Sequence, residues 1–334
     1  EEAASWNGPV AGQLARNRLV SLIAPAPDVD IMQFLAGAYG RERFYWSEPA
    51  GTPGGDLAIA GMGIAAEVVV PPVLDAELLA APAGYRFDEV ERQARALFDG
   101  AILRAAGPNA AINETALDDH PARPRLFGGF AFQDDFIPDN TWSLFSPAQF
   151  ILPHYQLVRC GGRTYVTINA FVGEGEDLRE SLVALREALV AQMSAIPPKR
   201  RGEPMGRPLL RYPMSAEVWT TIIERATQSI HDGRLAKVVL SRVCEVRSDE
   251  PIDGAAALDY LNEHYGDCFR FLFEPCPHHA FFGATPELLV RKDGEQVITM
   301  ALAGSIARGR DTEEDAVLAA QLLGSTKNRH EHQL

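Results

Sequence analysis

The amino-acid sequence predicts an α+β protein in which most strands pair antiparallel. Two glycine-containing segments, Cys160-Gly161-Gly162 and Lys292-Asp293-Gly294-Glu295, each separate two strand-like stretches and therefore predict hairpins. Regular alternation of strands with helices is absent, which argues against a doubly wound parallel sheet or a TIM barrel. Of the 334 residues, 46% are hydrophobic and 23% are charged, so the chain can bury a large core.

The N-terminal half is predicted to consist of strands with two amphipathic helices among them. Strand-forming residues bounded by turn residues predict strands at Arg43–Ser47, Asp56–Val70, Arg125–Gln133, Gln149–Arg159 and Arg163–Val172. Apolar residues at helical spacing predict a first helix over Phe87–Ala106, which Pro108 would end. Leucines at the same spacing predict a second helix from Leu178 to Met193.

A stretch with five prolines and five basic residues, Ile196–Pro213, predicts a solvated connection between two parts of the chain. It separates an N-terminal α+β portion at residues 1–195 from a C-terminal portion at residues 214–334, with the connection itself at 196–213. Directly after it, Ser215 is the predicted N-cap of a helix that buries Trp219 and Ile230 and ends at Gly233.

The C-terminal portion continues with short strands and a final helix. Strands are predicted at Lys237–Arg247, Cys268–Glu274, Ala280–Ala284, Leu288–Arg291 and Gln296–Ala301. Asp311 or Thr312 is expected to cap a helix that runs through Leu318 towards Glu331. The chain contains no internal repeat.

Charge and composition exclude several classes of partner. With 31 basic and 45 acidic residues the formal net charge is −14, which makes nucleic acid or an anionic membrane surface an unfavourable partner. The longest apolar stretch, Leu57–Leu74, is interrupted by Glu67 and by prolines, so no membrane span is expected. The four cysteines form no CxxC pair, and they are far too few for a disulfide scaffold, which favours reduced thiols in a cytoplasmic protein. The sequence does not determine the oligomeric state and is compatible with a monomer.

Two polar residues near predicted strand ends could carry acid–base chemistry, although each also has an ordinary structural interpretation. Lys237, which opens a predicted strand, is either a solvated edge residue or a desolvated base. Glu287 follows Thr285-Pro286 and is either a turn residue or a carboxylic acid held rigidly at the rim of a sheet.

Two further segments could bind charged groups. The small residues of Ala301–Ser305 either pack tightly at a strand end or allow backbone N–H groups near Gly304 to approach an anion. Glu331 lies in a polar helical run that reads most simply as a solvated helix face, but its carboxylate could also bind a hard cation such as Mg²⁺. His330 and His332 are two residues apart and cannot share a helix face, which weakens a two-histidine metal site.

Four motifs follow one another along the C-terminal portion: Lys237-Val-Val-Leu-Ser-Arg242, Gly283-Ala-Thr-Pro-Glu287, Ala301-Leu-Ala-Gly-Ser305 and Lys327-Asn-Arg-His-Glu331-His332. Together they resemble the chorismate-utilising enzymes, and among these the isochorismate synthases. Phe44–Ser47 is also similar to the bacterial isochorismate synthases of the menaquinone pathway. The intervals of 50 residues from Lys237 to Glu287 and 44 residues from Glu287 to Glu331 match the family's spacing of base, acid and metal ligand.

The resemblance implies one large fold of mostly antiparallel sheets sandwiched with outer helices, and a cytoplasmic, Mg²⁺-dependent enzyme that isomerises chorismate to isochorismate. Water adds at C2 of the ring while the C4 hydroxyl leaves. By resemblance, Lys237 is the general base that activates water and Glu287 is the general acid that protonates the leaving hydroxyl. Glu331 is implied to be a metal ligand. A substrate carboxylate is implied to lie on the backbone of Ala303, Gly304 and Ser305.

Other members of the same family, and one other class of protein, stay open as alternatives. Lys237 favours water over ammonia as the nucleophile and so disfavours an anthranilate-type synthase. The Ala301–Ser305 motif favours the isomerases over the salicylate synthases, which also eliminate pyruvate. A non-catalytic chorismate-binding relative is the alternative from another class, and retention of Lys237, Glu287 and Glu331 argues against it. The overall resemblance of the sequence favours a role in menaquinone synthesis over one in siderophore synthesis.

The two ends of the chain predict a fragment. The chain starts at Glu1 without methionine and stops at Leu334 within a predicted helix. Members of the family continue past the Glu331 helix with a second acidic metal ligand and with further strands of the core. We therefore expect the C-terminal part of the fold to be missing and this chain alone to be inactive.

Overall fold

The computed structural model describes residues 17–52, 57–72, 84–106, 112–114, 120–133, 136–138, 140–196, 208–249 and 251–333. Its strands are β1 (Asn17–Pro25), β2 (Arg43–Ser47), β3 (Ala58–Val70), β4 (Ile102–Ala106), β5 (Ile112–Glu114), β6 (Phe127–Phe130), β7 (Ala148–Cys160), β8 (Arg163–Gly173), β9 (Leu209–Arg211), β10 (Glu245–Arg247), β11 (Phe269–Cys276), β12 (His279–Thr285), β13 (Arg291–Asp293) and β14 (Gln296–Ile298). Its helices are α1 (Ile31–Ala36), α2 (Tyr85–Phe98), α3 (Leu178–Ser194), α4 (Ala216–His231), α5 (Gly254–His264), α6 (Thr312–Gly324) and α7 (Thr326–Gln333), with a 3₁₀ turn at Asn140–Trp142.

Ten strands form one large sheet in the order β12-β11-β2-β3-β7-β8-β1-β4-β5, with β6 pairing with β7. Every pair in this sheet is antiparallel except β1 and β4, which run parallel. The predicted α+β class with mostly antiparallel strands is therefore confirmed. Strands β11 and β12 extend the sheet that the N-terminal strands begin, because Leu272 of β11 pairs with Tyr45 of β2.

Side chains alternate between the two faces of the sheet, and helices cover one face more fully than the other. On the first face Leu22 and Leu157 pack with Phe34 of α1 and Leu182 of α3 in the largest apolar cluster. On the opposite face, Val90 and Leu97 of α2 pack with other apolar residues of the sheet. Burial of whole leucine and phenylalanine side chains is worth about 1.5–3 kcal/mol each, so these clusters hold the helices on the sheet.

Many predicted elements occur where the local pattern placed them. Strand β2 coincides with the predicted strand Arg43–Ser47, and β7 and β8 form the predicted hairpin. Helix α3 begins after Asp177, whose carboxylate accepts hydrogen bonds from two backbone N–H groups of the first turn. Ser215 caps α4 through the backbone N–H of Val218, as predicted. However, α4 has no buried residue, and Ile230 is 39% exposed.

The predicted helix Phe87–Ala106 is wrong in its second half. Helix α2 ends at Phe98, and the chain turns at Gly100, whose φ is +65°. The residues that follow form β4, in which Ile102 pairs with Val20 of β1. Short apolar runs fit helical and strand spacing equally well. Here the segment forms a strand because the free edge of β1 accepts its backbone hydrogen bonds.

The predicted strand Lys237–Arg247 is also wrong over most of its length. Only β10 is a strand, and it pairs with β9, which lies within the predicted connection. No described strand pairs with residues 237–244, and Val239 is 83% exposed. A strand is stable only when a neighbour takes up its backbone hydrogen bonds, and these residues have β-forming side chains without such a neighbour.

The predicted final helix is divided in two. Ser325 has extended backbone angles and separates α6 from α7, and its hydroxyl oxygen accepts a hydrogen bond from the backbone N–H of Asn328. Asp311 caps α6, as one of the two predicted possibilities. Helix α5, capped by Asp253, was not predicted.

None of the helices in the described part of the chain combines the length and apolar character that crossing a bilayer requires.

Candidate active site

A cavity of about 1190 Å³ lies on the sheet face near β2, β6, β11 and β12. Aromatic side chains supply much of its wall, namely those of Trp46, Phe127, Phe130, Trp142, Phe145, Phe269, Phe271, Phe273 and Phe281. Charged groups lie along the same wall, and burial together with nearby Arg123 lowers the pKa of Arg125 to about 10. The predicted acid Glu287 is one of the lining residues.

Glu287 lies in a short link between the main sheet and the β13–β14 hairpin. Its backbone N–H donates to the Thr285 hydroxyl oxygen at 3.2 Å, which fixes the turn directly after β12. Its side chain is exposed. A second hydrogen bond holds the link further along: the hydroxyl of Thr299, which follows β14, donates to the carbonyl oxygen of Leu289 at 2.8 Å. The predicted position at the rim of a sheet is therefore observed, while the role of Glu287 stays a prediction.

The small-residue loop Ala301–Ser305 packs against helix α7. Gly304 has a φ of +76°, and a Cβ atom at this position would lie 2.6 Å from Cγ of Asn328. Only glycine allows both the left-handed backbone and this close approach. His332 adds a hydrogen bond from Nε2 to the carbonyl oxygen of Ala301 at 3.1 Å. The fold thus brings the predicted carboxylate-binding loop next to the helix that carries the predicted metal ligand.

Glu331 lies on α7, three residues after Asn328 and therefore on the same side of the helix. Its side chain is 29% exposed, and Oε1 lies 3.8 Å from Nζ of Lys327. A carboxylate in this setting suits Mg²⁺, a hard cation that commonly takes one or two protein carboxylates and keeps several waters. Among the described residues there is no cluster of three or more metal-ligating side chains. Glu331 therefore fits as one ligand and does not form a complete site by itself.

Lys237 is exposed and lies between α4 and β10 without regular secondary structure. Within the described ranges, no hydrogen bond or ion pair joins it to Glu287 or Glu331. The nearby Arg242 is held more firmly, because its guanidinium lies 4.3 Å from the ring centroid of Tyr212 and 5.8 Å from that of Trp219. The structure accordingly brings together the loop and α7, and in the described residues it joins the predicted base to the predicted acid by no direct hydrogen bond or ion pair.

Sequence reasoning did not assign roles to Asn328, whose side chain lies against Gly304, or to His332, which bonds to the Ala301 carbonyl oxygen. Both lie in a motif that the sequence singled out, and His332 was considered only as a metal ligand. Glu48 and Arg291 form an ion pair on the cavity wall and were also missed. Their separation of 243 residues leaves no local signal of their contact.

The motifs and this geometry define a member of the chorismate-utilising class. The family model described as chorismate binding enzyme matches residues 7–334, and the chain therefore belongs to that family. The resemblance that the four motifs indicated is thereby confirmed.

Two curated relatives show the likeness in detail. The chain is 29% identical over 321 residues to isochorismate synthase MenF of Bacillus subtilis strain 168, covering 95% of this chain and 63% of the relative. It is 34% identical over 221 residues to the salicylate biosynthesis isochorismate synthase of Pseudomonas aeruginosa, covering 66% of this chain and 46% of the relative. The chain thus spans less than two thirds of the length of these relatives.

Among solved structures, the chain matches MenF, the menaquinone-specific isochorismate synthase from Escherichia coli. The TM-score is 0.64 at 22% sequence identity, and the match covers 96% of this chain and 64% of that chain. At this identity the likeness shows the fold, and it agrees with the large, mostly antiparallel sheet described above.

Proposed function

We propose that the protein isomerises chorismate to isochorismate. The observation that carries this proposal is the contact between the loop Ala301–Ser305 and helix α7, which places a small-residue backbone loop beside the helix that bears the Glu331 carboxylate, within a chorismate-binding family. The names of the relatives support the same reaction, since both curated relatives described above are isochorismate synthases.

The reaction exchanges one hydroxyl position for another, and its atoms balance without a further reactant. Water attacks C2 of the ring, the double bonds shift, and the C4 hydroxyl leaves as water. Lys237, in its neutral form, accepts a proton from the attacking water, and Glu287, in its protonated form, donates a proton to the departing hydroxyl. Exchange of one proton with solvent at each residue then restores the starting state.

Substrate charge is the second requirement, because chorismate is a dianion and the protein has a formal charge of −14. In the proposed site the backbone N–H groups of Ala303, Gly304 and Ser305 bind one substrate carboxylate. Glu331 would contribute one ligand to Mg²⁺, which when bound neutralises carboxylate charge. The exposed positions of Lys237 and Glu287 in the described chain mean that further groups must cover them during catalysis.

We further propose that this activity belongs to menaquinone synthesis in the cytoplasm, with siderophore synthesis as the alternative pathway. The likeness to MenF of Bacillus subtilis supports the menaquinone pathway.

Product analysis tests the proposal. The purified 334-residue chain, and a longer protein containing it where the gene encodes one, are incubated with chorismate and Mg²⁺, and the products are separated chromatographically. Wherever chorismate is consumed, we expect isochorismate without pyruvate. Release of pyruvate would indicate a salicylate synthase, a requirement for ammonia would indicate an anthranilate-type synthase, and chorismate binding without turnover by both proteins would indicate a non-catalytic relative.

Variants of the two catalytic residues test their roles. K237A and E287Q are each expected to lower turnover by about 10²–10⁴-fold, which is the usual contribution of general acid–base catalysis. E295Q is the matched control for E287Q, since the Glu295 side chain is exposed on the β13–β14 hairpin and is not among the residues that line the cavity. Near-normal turnover in K237A or E287Q would refute the role of that residue.

A further inference from the structure

The link that carries Glu287 has two ends, and each is attached differently to the main sheet. At the first end, Thr285 belongs to β12 and pairs with Phe269 of β11. At the second end, Arg291 opens β13, which belongs to a separate two-stranded sheet. Between the two ends Leu289 and Val290 are 86% and 56% exposed and Leu288 is partly buried, so apolar packing holds the link only weakly. The hydrogen bond from the Thr299 hydroxyl to the Leu289 carbonyl oxygen adds one further attachment.

Arg291 is joined to the main sheet through Glu48, which follows β2. Nη1 of Arg291 lies 2.7 Å from Oε1 of Glu48, and both residues line the aromatic cavity together with Glu287. The Glu48 side chain is only 4% exposed, whereas that of Arg291 is 38% exposed. The buried Glu48 carboxylate therefore has a fixed position, and its ion pair restrains the more exposed guanidinium of Arg291.

The backbone around Glu48 is itself firmly bonded. Its N–H donates to the carbonyl oxygen of Leu57 at 3.0 Å, and its carbonyl oxygen accepts from Nη2 of Arg270 at 2.8 Å. Arg270 is buried on β11 and also donates from Nε to the Ser47 hydroxyl at 2.9 Å. These contacts attach Glu48 to β11 and to Leu57, the residue before β3, so its backbone is held on both sides of β2.

Burial makes the Glu48 carboxylate dependent on its partner. Desolvation raises the pKa of Glu48, and the adjacent guanidinium of Arg291 offsets part of this effect. A buried carboxylate that loses its cation is left uncompensated, so Glu48 favours conformations in which Arg291 stays in place.

We infer that Glu48 is a positioning residue which, through Arg291, holds the Glu287 link at the rim of the cavity. Glu287 and Arg291 are four positions apart in the chain, which limits the distance between their Cα atoms to about 14 Å even in a fully extended chain. With Thr285 fixed at one end and Arg291 at the other, the carboxyl group of Glu287 can visit only a small region. This inference rests on the proposed function, because it assigns Glu48 to the placement of the proposed acid.

Hydrogen exchange and kinetics on E48Q test the inference separately. In E48Q the amides of residues 287–291 are expected to exchange at least about tenfold faster, while the amides of β11 stay unchanged. Turnover of chorismate is expected to show a kcat lower by about 10–100-fold with KM changed by less than about threefold, since a displaced acid costs rate more than binding.

Three further variants make the test specific. R291M should lower kcat and speed amide exchange as E48Q does. R291K keeps the positive charge, so its kcat should be much closer to that of the unmodified protein than the kcat of R291M is. Because both substitutions break the same contact, the kcat of E48Q/R291M should be no lower than that of the slower single variant. D253N is the matched control, because it removes one carboxylate from another arginine pair near the opposite end of β12 and keeps a good helix N-cap. It should alter neither the exchange of residues 287–291 nor kcat.

The outcomes separate this inference from the proposed function. Unchanged exchange at residues 287–291 in E48Q overturns the inference whatever the activity, and so does faster exchange with an unchanged kcat. Absence of chorismate turnover in every unmodified protein that contains this chain refutes the proposed function and, with it, the placement role of Glu48, even where E48Q still loosens the link.

Discussion

Arg43 and Glu274 form a buried ion pair in which Nε and Oε2 are 2.6 Å apart. Arg43 lies on β2 and Glu274 on β11, so the pair joins strands that are 231 residues apart in the chain. Nη1 of Arg43 also lies 2.9 Å from Oδ1 of Asp253, the N-cap residue of α5. Burial lowers the pKa of Arg43, but the two carboxylates outweigh burial and raise it above its ordinary value.

Removing one partner of this pair should strongly destabilise the fold. E274Q leaves the Arg43 guanidinium, whose side chain is 1% exposed, without its main counter-charge, and we expect the free energy of unfolding to fall by about 3–5 kcal/mol. Urea denaturation measures the change. The control is R95Q, which breaks the exposed Arg95–Glu91 pair and should leave the midpoint nearly unchanged. Equal effects of the two substitutions would contradict the role assigned to the buried pair.

Gly128 and Gly129 should respond differently to alanine, although they are neighbours in β6. A Cβ atom on Gly128 would collide with the carbonyl oxygen of Gln149 and lie 2.6 Å from Cα of Phe150, and both are backbone atoms that cannot turn aside. Gly129 has no atom within 4 Å of its Cβ position. We expect G128A to lower the free energy of unfolding by about 1–3 kcal/mol and G129A to have little effect. Thermal denaturation that fails to separate the two variants would refute the close approach of β6 to β7.

G304A should weaken chorismate binding if the loop Ala301–Ser305 holds a substrate carboxylate. The new methyl group forces the Asn328 carboxamide away and also strains the left-handed backbone at this position. G162A is the matched control, because Gly162 has a φ of +70° but no atom within 4 Å of its Cβ position. Both variants carry a backbone cost of about 1–2 kcal/mol, so only a steric effect separates them. Calorimetric titration with chorismate should show weaker binding in G304A alone, and equal affinities would exclude the loop as the binding site.

Asp315 should titrate at unusually low pH. Its two carboxylate oxygens accept hydrogen bonds from the Arg308 guanidinium at 2.7 Å each, and Oδ1 also accepts from the backbone N–H of Gly309. These bonds lower its pKa from 3.8 to about 2. Because the folded pKa lies below the unfolded value, the stabilisation is fully present above about pH 4 and is lost as the pH falls towards about 2.

Carboxyl NMR titration measures this directly. The midpoint for Asp315 should lie near 2 in the unmodified chain and rise towards 3.8 in R308Q. A midpoint near 3.8 in both proteins would show that the Arg308–Asp315 contact does not persist in solution.

Glu331 should control the requirement for Mg²⁺. In E331Q the charged ligand is lost, and we expect the Mg²⁺ concentration for half-maximal chorismate turnover to rise by about tenfold or more, since even the partners of metal ligands alter affinity by about this factor. E313Q is the control, because Glu313 is exposed in the first turn of α6. An unchanged Mg²⁺ dependence in E331Q would remove Glu331 from the metal site.

Local elements of the fold were largely predictable from the residues within them. The alternating, turn-bounded segment Arg43–Ser47 and the leucine repeat of α3 each carry their own signal, and both occur where predicted. The helix predicted through Ala106 and the strand predicted from Lys237 failed for a common reason. In each case the short apolar run is compatible with more than one secondary structure, and the presence of a neighbouring strand decides which one forms. Ile102 pairs with β1 and lies in a strand, whereas Val239 is exposed and lies outside any strand.

The sequence by itself determined the class of fold, the family, and the order and spacing of the four motifs. Hairpin turns, helix caps and side-chain alternation depend on residues a few positions apart, and so they are visible in the chain. Only the tertiary structure placed Glu48 against Arg291, Arg43 against Glu274, and His332 against the Ala301 carbonyl. These contacts depend on which strands become neighbours in the ten-stranded sheet and on how loops cross its edge. That order is set by burial summed over the whole chain, and local backbone preference does not encode it.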